Sequence, residues 1–516
     1  MATVALNSSK GKWIMVSAIL ASAMAFIDGT ALNVVLPALQ RSLDATGSDL
    51  FWILNAYLLM LASLILIGGA IGDRLGRKKI FMLGIAIFIC GSAACGFAAN
   101  VTHLVVFRLL QGIGGALMIP GSLSLISSSI DEKQRGKAIG TWSAFTTVVT
   151  MGGPVLGGAL ADAGLWRYIF FINIPIGITA LLMLTFRVDE IKDEDNPTHQ
   201  LDFPGAITIV LALAALTFGF LRIPEAGFGH PQAYGSLLGG LFLLCLFIYI
   251  ELKSSNPMMP LSLFANATFS GTNLLTFFLY AGLGAGMLFL SLNLVQVQGY
   301  SQLQSGLTFL PFTLLMILIA RFAGKLADKH GPRLFLIAGP ATAGTGLLLL
   351  SFVGQTNGPA EYFTTFFPGI LVFGLGMAFT VAPLTTAVMS AVPDHFSGTA
   401  SGINNAVTRI ANVFANAIFG ALAVLLFSAA LNSQVKKIEL TPAERTAVMY
   451  QAGNLGDAKP PAGLSKPVSV TIESTYRTSF IHAYSVIMRI SGILGFSGAL
   501  MAVLFIRTKS LKDEKV

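Results

Sequence analysis

The sequence predicts an all-α membrane protein with fourteen spans, arranged as two six-helix bundles plus two extra transmembrane helices. Three observations lead to this fold class: 54% of the 516 residues are hydrophobic and only 11% are charged, the apolar residues form fourteen long runs, and one loop motif occurs twice. Soluble domains carry about 25% charged residues. The composition alone therefore indicates a membrane protein.

The apolar runs have the length that a bilayer requires, since a hydrocarbon core about 30 Å thick needs roughly 20 apolar residues per helix. We expect an N-terminal bundle in residues 1–186, two inserted helices with flanking cytoplasmic loops in 187–268, and a C-terminal bundle with a long outer loop (430–477) in 269–516. The predicted spans are 13–36, 50–72, 80–99, 103–128, 137–160, 168–186, 203–221, 233–251, 269–295, 304–323, 333–353, 363–391, 398–429 and 478–506.

The distribution of positive charge predicts the orientation of the chain. With the N-terminus in the cytoplasm, the inner segments hold twenty Lys and Arg residues, whereas the short outer loops hold three, Arg41, Arg167 and Arg222. The long outer loop holds six more, but long loops cross the membrane largely regardless of charge. The positive-inside rule therefore places both termini in the cytoplasm and residues 225 and 455 outside.

An internal repeat relates the two halves of the chain. The segment 69-GAIGDRLGRKK-79 follows the second span, and a similar segment, 324-GKLADKHGPR-333, follows the tenth. The matched positions are Gly69 with Gly324, Asp73 with Asp328, Arg74 with Lys329 and Gly76 with Gly331. Because two six-helix halves would place the second copy after span eight, the spans at 203–221 and 233–251 are the inserted pair. Duplicated helical halves are typical of secondary transporters.

Charged residues inside the predicted spans are the main candidates for function, because a charge in hydrocarbon costs several kcal/mol. Asp28 lies in the first span and Arg108 in the fourth, both in the outer part of the bilayer at comparable depth. This depth match permits contact, either as a functional pair or as a purely structural ion pair. Arg409 and Arg489 also lie within spans, where packing or snorkelling is the simpler interpretation.

Several motifs at corresponding helix numbers resemble the major facilitator superfamily. The loop at 69–79 resembles its signature loop, 108-RLLQGIGGA-116 its fourth-helix motif, and 152-GGPVLGG-158 the fifth-helix motif of its exporters. The segments 27-IDGTALNVVLP-37, 166-WRYIFFINIPIG-177 and 289-FLSLNLVQVQGYSQLQSGLTFLP-311 are similar to the fourteen-helix drug:proton antiporters. One position departs from the exporter motif: Val149 stands where the motif has a glycine.

The resemblance implies a proton-coupled exporter of small amphipathic compounds or drugs, with the major facilitator fold and a site in the cytoplasmic membrane. Its partners would be protons, a small-molecule substrate, the lipid bilayer and a periplasmic adaptor, without nucleic acid, cofactor or metal. The implied residues are Asp28 and Arg108 for proton coupling; Gly69, Asp73, Arg74, Gly76, Arg77, Asp328 and Gly331 for a cytoplasmic latch; Gly153, Pro154, Gly157 and Gly158 for the exporter-motif helix; and Asn33, Gln111, Asn405 and Arg409 as candidate cavity residues.

Alternative interpretations stay open for several of these features. The loop at 69–79 also fits a topology signal made of positive charge, and the glycines of the fifth span also fit close helix packing. Because Val149 departs from the exporter motif, a facilitator of a specific metabolite stays an alternative to the exporter. A membrane sensor that does not transport is a second alternative, from another functional class. The loop at 430–477 fits a cap, an adaptor contact or a flexible tether. Enzymes are disfavoured because the sequence has no phosphate-binding loop, HExxH motif or nucleophile elbow.

We predict that Asp73→Ala slows the transport cycle far more than it weakens substrate binding, because a latch stabilises one access state without touching the substrate. Transport rate and equilibrium binding should be measured on the same preparation, with Asp49→Asn as a control at an acid outside the loop. Equal losses in rate and affinity would contradict the latch.

Overall fold

The protein is all-helical over the residues that the structure, a computed structural model, describes: 4–188, 202–393 and 396–506. Short 3₁₀ segments lie at Leu261–Ala265, Pro359–Glu361 and Gln451–Asp457. The α-helices are α1 (Ser9–Leu43), α2 (Gly47–Leu75), α3 (Arg77–Gly96), α4 (Val101–Ser129), α5 (Glu132–Asp162), α6 (Tyr168–Phe171), α7 (Asn173–Arg187), α8 (Phe203–Ala226), α9 (Pro231–Lys253), α10 (Ala267–Gln296), α11 (Gln302–Thr308), α12 (Leu310–His330), α13 (Arg333–Leu350), α14 (Phe366–Ser390), α15 (Ser397–Val435), α16 (Pro442–Tyr450) and α17 (Lys466–Phe505).

The prediction of fourteen spans is confirmed, because the described residues include fourteen helices that are long and apolar enough to cross a membrane. The sixth span combines α6 and α7, and the tenth combines α11 and α12. Several helices extend beyond their apolar runs: α1 reaches Leu43 and α17 begins at Lys466. Hydropathy marks only the part of a helix that lies in hydrocarbon, and it misses the turns that continue into the polar region.

The chain forms two compact units. One comprises Met1–Ala38, Trp52–Gly219 and Gly229–Pro260, and the other comprises Leu39–Phe51, Phe220–Phe228 and Leu261–Val516. The sequence-based division at residues 186 and 268 stays a prediction.

In the first unit, glycines let α3 and α4 pack with their backbones close together. A side chain at Gly84 would come within 2.8 Å of the Met118 backbone nitrogen, and one at Gly91 within 2.8 Å of the Gln111 nitrogen. Small residues at such interfaces allow close helix contact in lipid, where the hydrophobic effect does not drive association. The glycine pattern therefore fixes how α3 lies against α4.

The second unit repeats this packing between α13 and α14. A side chain at Gly346 would meet the backbone of Phe373, and one at Gly376 would meet the backbone of Ala343. The same device thus joins the third and fourth helices of the N-terminal half and the corresponding helices of the C-terminal half. This equivalence agrees with the duplication seen in the loop motif.

The two copies of the loop motif share a backbone conformation. Gly76 has φ 110° and Gly331 has φ 85°, values that L side chains rarely adopt. Gly69 faces Pro120 of α4, while Gly324 faces Ala382 of α14. The motif therefore encodes two equivalent tight turns.

The charged positions of the loop motif are only partly described. Asp73 and Asp328 lie in the last turns of α2 and α12, but their side chains lie outside the described part of the structure. Arg74 is exposed, and Arg77 begins α3 in a half-buried position. The latch that we expect from these residues therefore stays a prediction.

The predicted outer loop at 430–477 is shorter than expected, because α15 continues through Val435 and α17 begins at Lys466. Its centre is folded: Thr441 and Glu444 form a capping box at the start of α16, and Leu455 is buried. Hydrogen bonds from the Thr441 N–H and hydroxyl hold the pKa of Glu444 below its usual value. A flexible tether does not describe this segment.

The folded outer segment packs against Leu39–Phe51, the part of α1 and α2 that belongs to the same unit. Arg41 forms an ion pair with Asp457 at 3.0 Å, and Gln40 Nε2 donates to the Asn454 carbonyl at 3.2 Å. A side chain at Gly47 would come within 2.8 Å of Leu455. The segment is thus anchored at several points along this hairpin.

We predict that both termini are cytoplasmic and that the segments after α8 and α15 lie outside. In a variant whose native cysteines Cys90, Cys95 and Cys245 are replaced by Ala, a membrane-impermeant thiol reagent should label Phe228→Cys and Tyr450→Cys from the outside. Both positions are exposed. Lys329→Cys should react only after the membrane is opened, and the reverse pattern would overturn the topology.

Candidate functional site

A buried ion pair joins α1 and α4. Asp28 is fully buried, Arg108 is 1% exposed, and Arg108 Nη1 donates to Asp28 Oδ2 at 2.5 Å. Asp28 is placed by the long apolar helix α1, in which it is the sole acidic residue. An isolated charge of either sign would be very costly in this environment, so each residue makes the burial of the other tolerable.

Gln111 completes the pair into a three-residue cluster. It lies one turn after Arg108 on α4, where its Oε1 accepts from Arg108 Nη1 at 2.8 Å and its Nε2 donates to Asp28 Oδ1 at 2.9 Å. Both carboxylate oxygens of Asp28 therefore accept a hydrogen bond. This arrangement suits the ionised form of Asp28, which has only acceptors.

The remaining neighbours of Arg108 are aromatic rings and one backbone carbonyl. The guanidinium carbon lies 4.4 Å from the ring centre of Tyr57 and 6.0 Å from that of Phe170. Arg108 Nε donates to the carbonyl of Ile53 at 3.4 Å. Cation–π contacts of this kind strengthen in desolvated surroundings. The site thus provides several weak partners for the cation besides Asp28.

Cys95 of α3 adds a polar contact from a third direction. It is buried, and its thiol donates weakly to Gln111 Oε1 at 3.8 Å. The sequence predicts Cys90, Cys95 and Cys245 to be small buried hydrophobes. That prediction is wrong for Cys90 and Cys245, which are exposed on the protein surface; in a membrane helix an exposed position can face lipid.

The exporter-motif glycines of α5 pack against α1 directly after Asp28. A side chain at Gly153 would collide with the hydroxyl of Thr30, and one at Gly157 would come within 2.7 Å of the Ala31 carbonyl. The Thr30 hydroxyl donates across the interface to the Thr150 carbonyl at 3.0 Å. Pro154 is half-buried within α5, and Gly158 is buried. The motif thus sets the distance between α5 and the helix that carries the acid.

Comparison with known proteins identifies the family. The model of the Major Facilitator Superfamily matches residues 18–416. The chain belongs to the Major Facilitator Superfamily. Members of this superfamily are membrane transporters rather than enzymes, so the chain is a multi-pass membrane transporter.

Two relatives illustrate this membership. The chain is 32% identical over 427 residues to the multidrug resistance protein Stp of Mycobacterium tuberculosis, covering 82% of the chain and 78% of Stp. It is 30% identical over 500 residues to the tetracenomycin C resistance and export protein of Streptomyces glaucescens, covering 95% and 90%.

Solved structures support the same fold. The inward-facing, unoccupied structure of a bacterial homologue of the human lysosomal transporter Spinster matches with a TM-score of 0.68 at 18% identity, covering 98% of this chain and all of that one. At this identity the likeness shows the fold alone, and the major facilitator fold predicted from the motifs is confirmed.

The other candidate cavity residues lie on α1 and α15. Asn33 is half-buried on α1; five residues after Asp28, it points to a different side of the helix. Asn405 and Arg409 lie on α15 in the second unit, where Asn405 donates to the Ser401 carbonyl at 3.1 Å. The structure therefore brings together Asp28, Arg108 and Gln111, whereas a cavity role for Asn33, Asn405 and Arg409 stays a prediction.

Sequence analysis missed two members of the site. Tyr57 was read as part of an apolar run, although a tyrosine in the middle of a span carries a polar group that needs a partner. Thr30 follows Asp28 by two residues, and its contact with α5 depends on helix packing that sequence spacing does not reveal.

We predict strong coupling between Asp28 and Arg108 in a double-mutant cycle. Asp28→Asn leaves an unbalanced buried cation and Arg108→Gln an unbalanced buried carboxylate, so each should lower the free energy of unfolding by about 3–5 kcal/mol. The neutral double variant should be more stable than either single variant. Thermal or denaturant unfolding in detergent measures all four proteins.

The exposed ion pair between Glu473 and Arg477 on α17 provides a matched control. The same substitutions there should change stability by less than about 1 kcal/mol. Additive effects at Asp28 and Arg108 would show that the two charges do not depend on each other.

Proposed function

We propose that the protein exports small amphipathic organic compounds across the cytoplasmic membrane in exchange for protons, by alternating access. The observation that carries the proposal is the fully buried Asp28 with its two polar partners on α4. An ionisable residue inside a membrane helix favours a role in transport. The two rivals, a metabolite facilitator and a transport-dead sensor, have no need of a titratable acid at this position.

In the proposed cycle, Asp28 changes its protonation state once. Ionised Asp28 is satisfied by Arg108 and Gln111, as in the present arrangement. Protonation removes the negative charge, so Arg108 becomes a buried cation whose described partners are Gln111, the Ile53 carbonyl and the rings of Tyr57 and Phe170. That imbalance favours a different arrangement of α1 and α4. Proton binding would in this way drive the conformational change.

The exporter direction is supported by the close contact of α5 with α1 and by the names of the relatives. One relative is named for multidrug resistance and another for resistance to and export of tetracenomycin C. The described membrane helices hold few acidic side chains besides Asp28, so a cargo that is neutral, amphipathic or weakly anionic fits better than a lipophilic cation.

The proton gradient is sufficient for useful accumulation. One charge that crosses about 100 mV releases roughly 2.3 kcal/mol, which corresponds to about a fifty-fold concentration ratio. The proposal therefore needs only one proton per cargo molecule.

We predict that Asp28→Asn abolishes uphill export driven by a pH gradient. Asparagine keeps the shape and the hydrogen-bonding capacity of protonated Asp28 but cannot titrate. Proteoliposomes with an imposed pH gradient and a panel of amphipathic dyes and antibiotics provide the measurement, and the variant should retain downhill exchange.

Asp49→Asn is the control, since it makes the same chemical change at a half-buried position at the start of α2, where the carboxylate accepts from Thr46. If the Asp28→Asn vesicles concentrate cargo with the pH dependence of the unmodified protein, proton coupling must reside elsewhere. If the unmodified protein moves every compound only downhill, the facilitator is the better description.

A further inference from the structure

A second buried acidic site lies where α8 begins and α9 ends. Asp202 is 8% exposed and Glu251 is 3% exposed, and neither residue belongs to the cluster around Asp28. The two helices form an antiparallel hairpin, in which Gly240 faces Leu216 and Gly219 faces Leu237. The pair therefore joins the two ends of the inserted hairpin.

Backbone groups satisfy one oxygen of each carboxyl group. Asp202 Oδ1 accepts from the Gly205 N–H at 2.9 Å, and Glu251 Oε2 accepts from the Met259 N–H at 2.9 Å. Among the described residues, Asp202 Oδ2 and Glu251 Oε1 have no hydrogen-bond partner. Two buried acceptor oxygens therefore lack a hydrogen bond, which is costly in free energy unless a donor reaches them.

These two oxygens point into the same small space. A Cβ atom at Gly205 would lie 2.7 Å from Asp202 Oδ2 and 2.9 Å from Glu251 Oε1. The absence of a side chain at Gly205 lets the oxygens approach each other. The side chains of Asp202 and Glu251 are direct neighbours. Two ionised carboxylates that share a site repel each other, and one proton between them removes the repulsion and satisfies both acceptors.

Among the described residues of α8, α9 and the segment 254–260, no basic side chain balances the pair. Residues 203–221 and 254–260 contain no charged residue, Lys253 and Tyr249 are exposed on α9, and Asp202 is the charged neighbour that acts on Glu251 in the described part of the chain. The environment of this pair is therefore the opposite of that of Asp28, which has a cation beside it.

We propose that Asp202 and Glu251 form a proton-binding site, in which one shared proton fastens the beginning of α8 to the end of α9. The site also holds Met259, in the segment that leads from α9 to α10, through its backbone N–H. Loss of the proton weakens the connection that Asp202 and Glu251 make between α8 and α9. On the predicted topology, Asp202 and Glu251 lie on the cytoplasmic side. This pair therefore responds to cytoplasmic pH independently of the exchange at Asp28.

The test is the pH dependence of thermal unfolding of the full-length protein in detergent. At neutral pH the folded pair retains a proton that the unfolded chain has already released at about pH 4–5, so stability must fall as pH rises through the titration of the pair. In Glu251→Gln the amide donates to Asp202 without titrating. The decrease in Tm between pH 6 and pH 9, about 3 °C or more in the unmodified protein, should shrink by at least half in Glu251→Gln and in Asp202→Asn.

Glu473→Gln is the matched control, because it makes the same substitution at an exposed position and should leave the pH profile unchanged. Hydrogen exchange of the unmodified protein gives a local readout that does not depend on any variant. After correction for intrinsic exchange, peptides that cover 202–206 and 251–260 should lose protection as pH rises.

Identical pH profiles for the unmodified protein and both single variants would overturn the shared proton. A stabilisation at high pH by sodium or potassium chloride that Glu251→Gln abolishes would also overturn it, since a monovalent cation would then occupy the space. Neither measurement involves transport, so its outcome is separate from that of the proposed exchange at Asp28.

Discussion

The structure around α1, α2 and α4 depends on one constraint: a carboxylate and a guanidinium that are buried together among membrane helices must satisfy each other. Asp28 and Arg108 meet this condition with Gln111 as the third member. The close packing of α4 follows from it. Gly112 lets α4 approach α2 at the Tyr57 carbonyl, and Gly91 lets α3 lie against Gln111. Gly112 of the fourth-helix motif and Gly91 of α3 therefore serve the ion pair, because a larger residue at either point would move the helices apart and leave the charges unsatisfied.

The sequence was sufficient to predict the number of spans, the duplicated turns and the matching positions of Asp28 and Arg108 along their helices. These features depend on local properties, namely hydropathy, glycine in a left-handed conformation at Gly76 and Gly331, and residue count along a helix. The bridging of Gln111 and the contact of Thr30 with Thr150 could not be predicted, since they require the rotation of one helix against another. The folded outer segment was missed for a related reason: Leu455 is buried and lies against Gly47 of α2, which is distant in sequence.

The two acidic sites show that the environment, more than residue type, determines what a buried carboxylate can do. Asp28 has a cation and an amide donor and is satisfied when ionised. Asp202 and Glu251 have backbone donors for half of their oxygens and only each other for the rest. The first arrangement must be disturbed to take up a proton, whereas the second must be disturbed to release one. Under the two proposals, the chain carries one carboxylate site for coupling and another for stability.

The departure at Val149 bears on the direction of transport less than the motif alone suggests. Position 149 lies one turn before Gly153 on the same face of α5, and its side chain is half-buried. The close contact with α1 is carried instead by Gly153 and Gly157, next to Thr30 and Ala31. Those positions lie directly after Asp28, where any movement of α1 during a proton-driven cycle would act on α5. The part of the exporter motif that touches the acid-bearing helix is thus intact, and Val149 alone is a weak reason to prefer a facilitator.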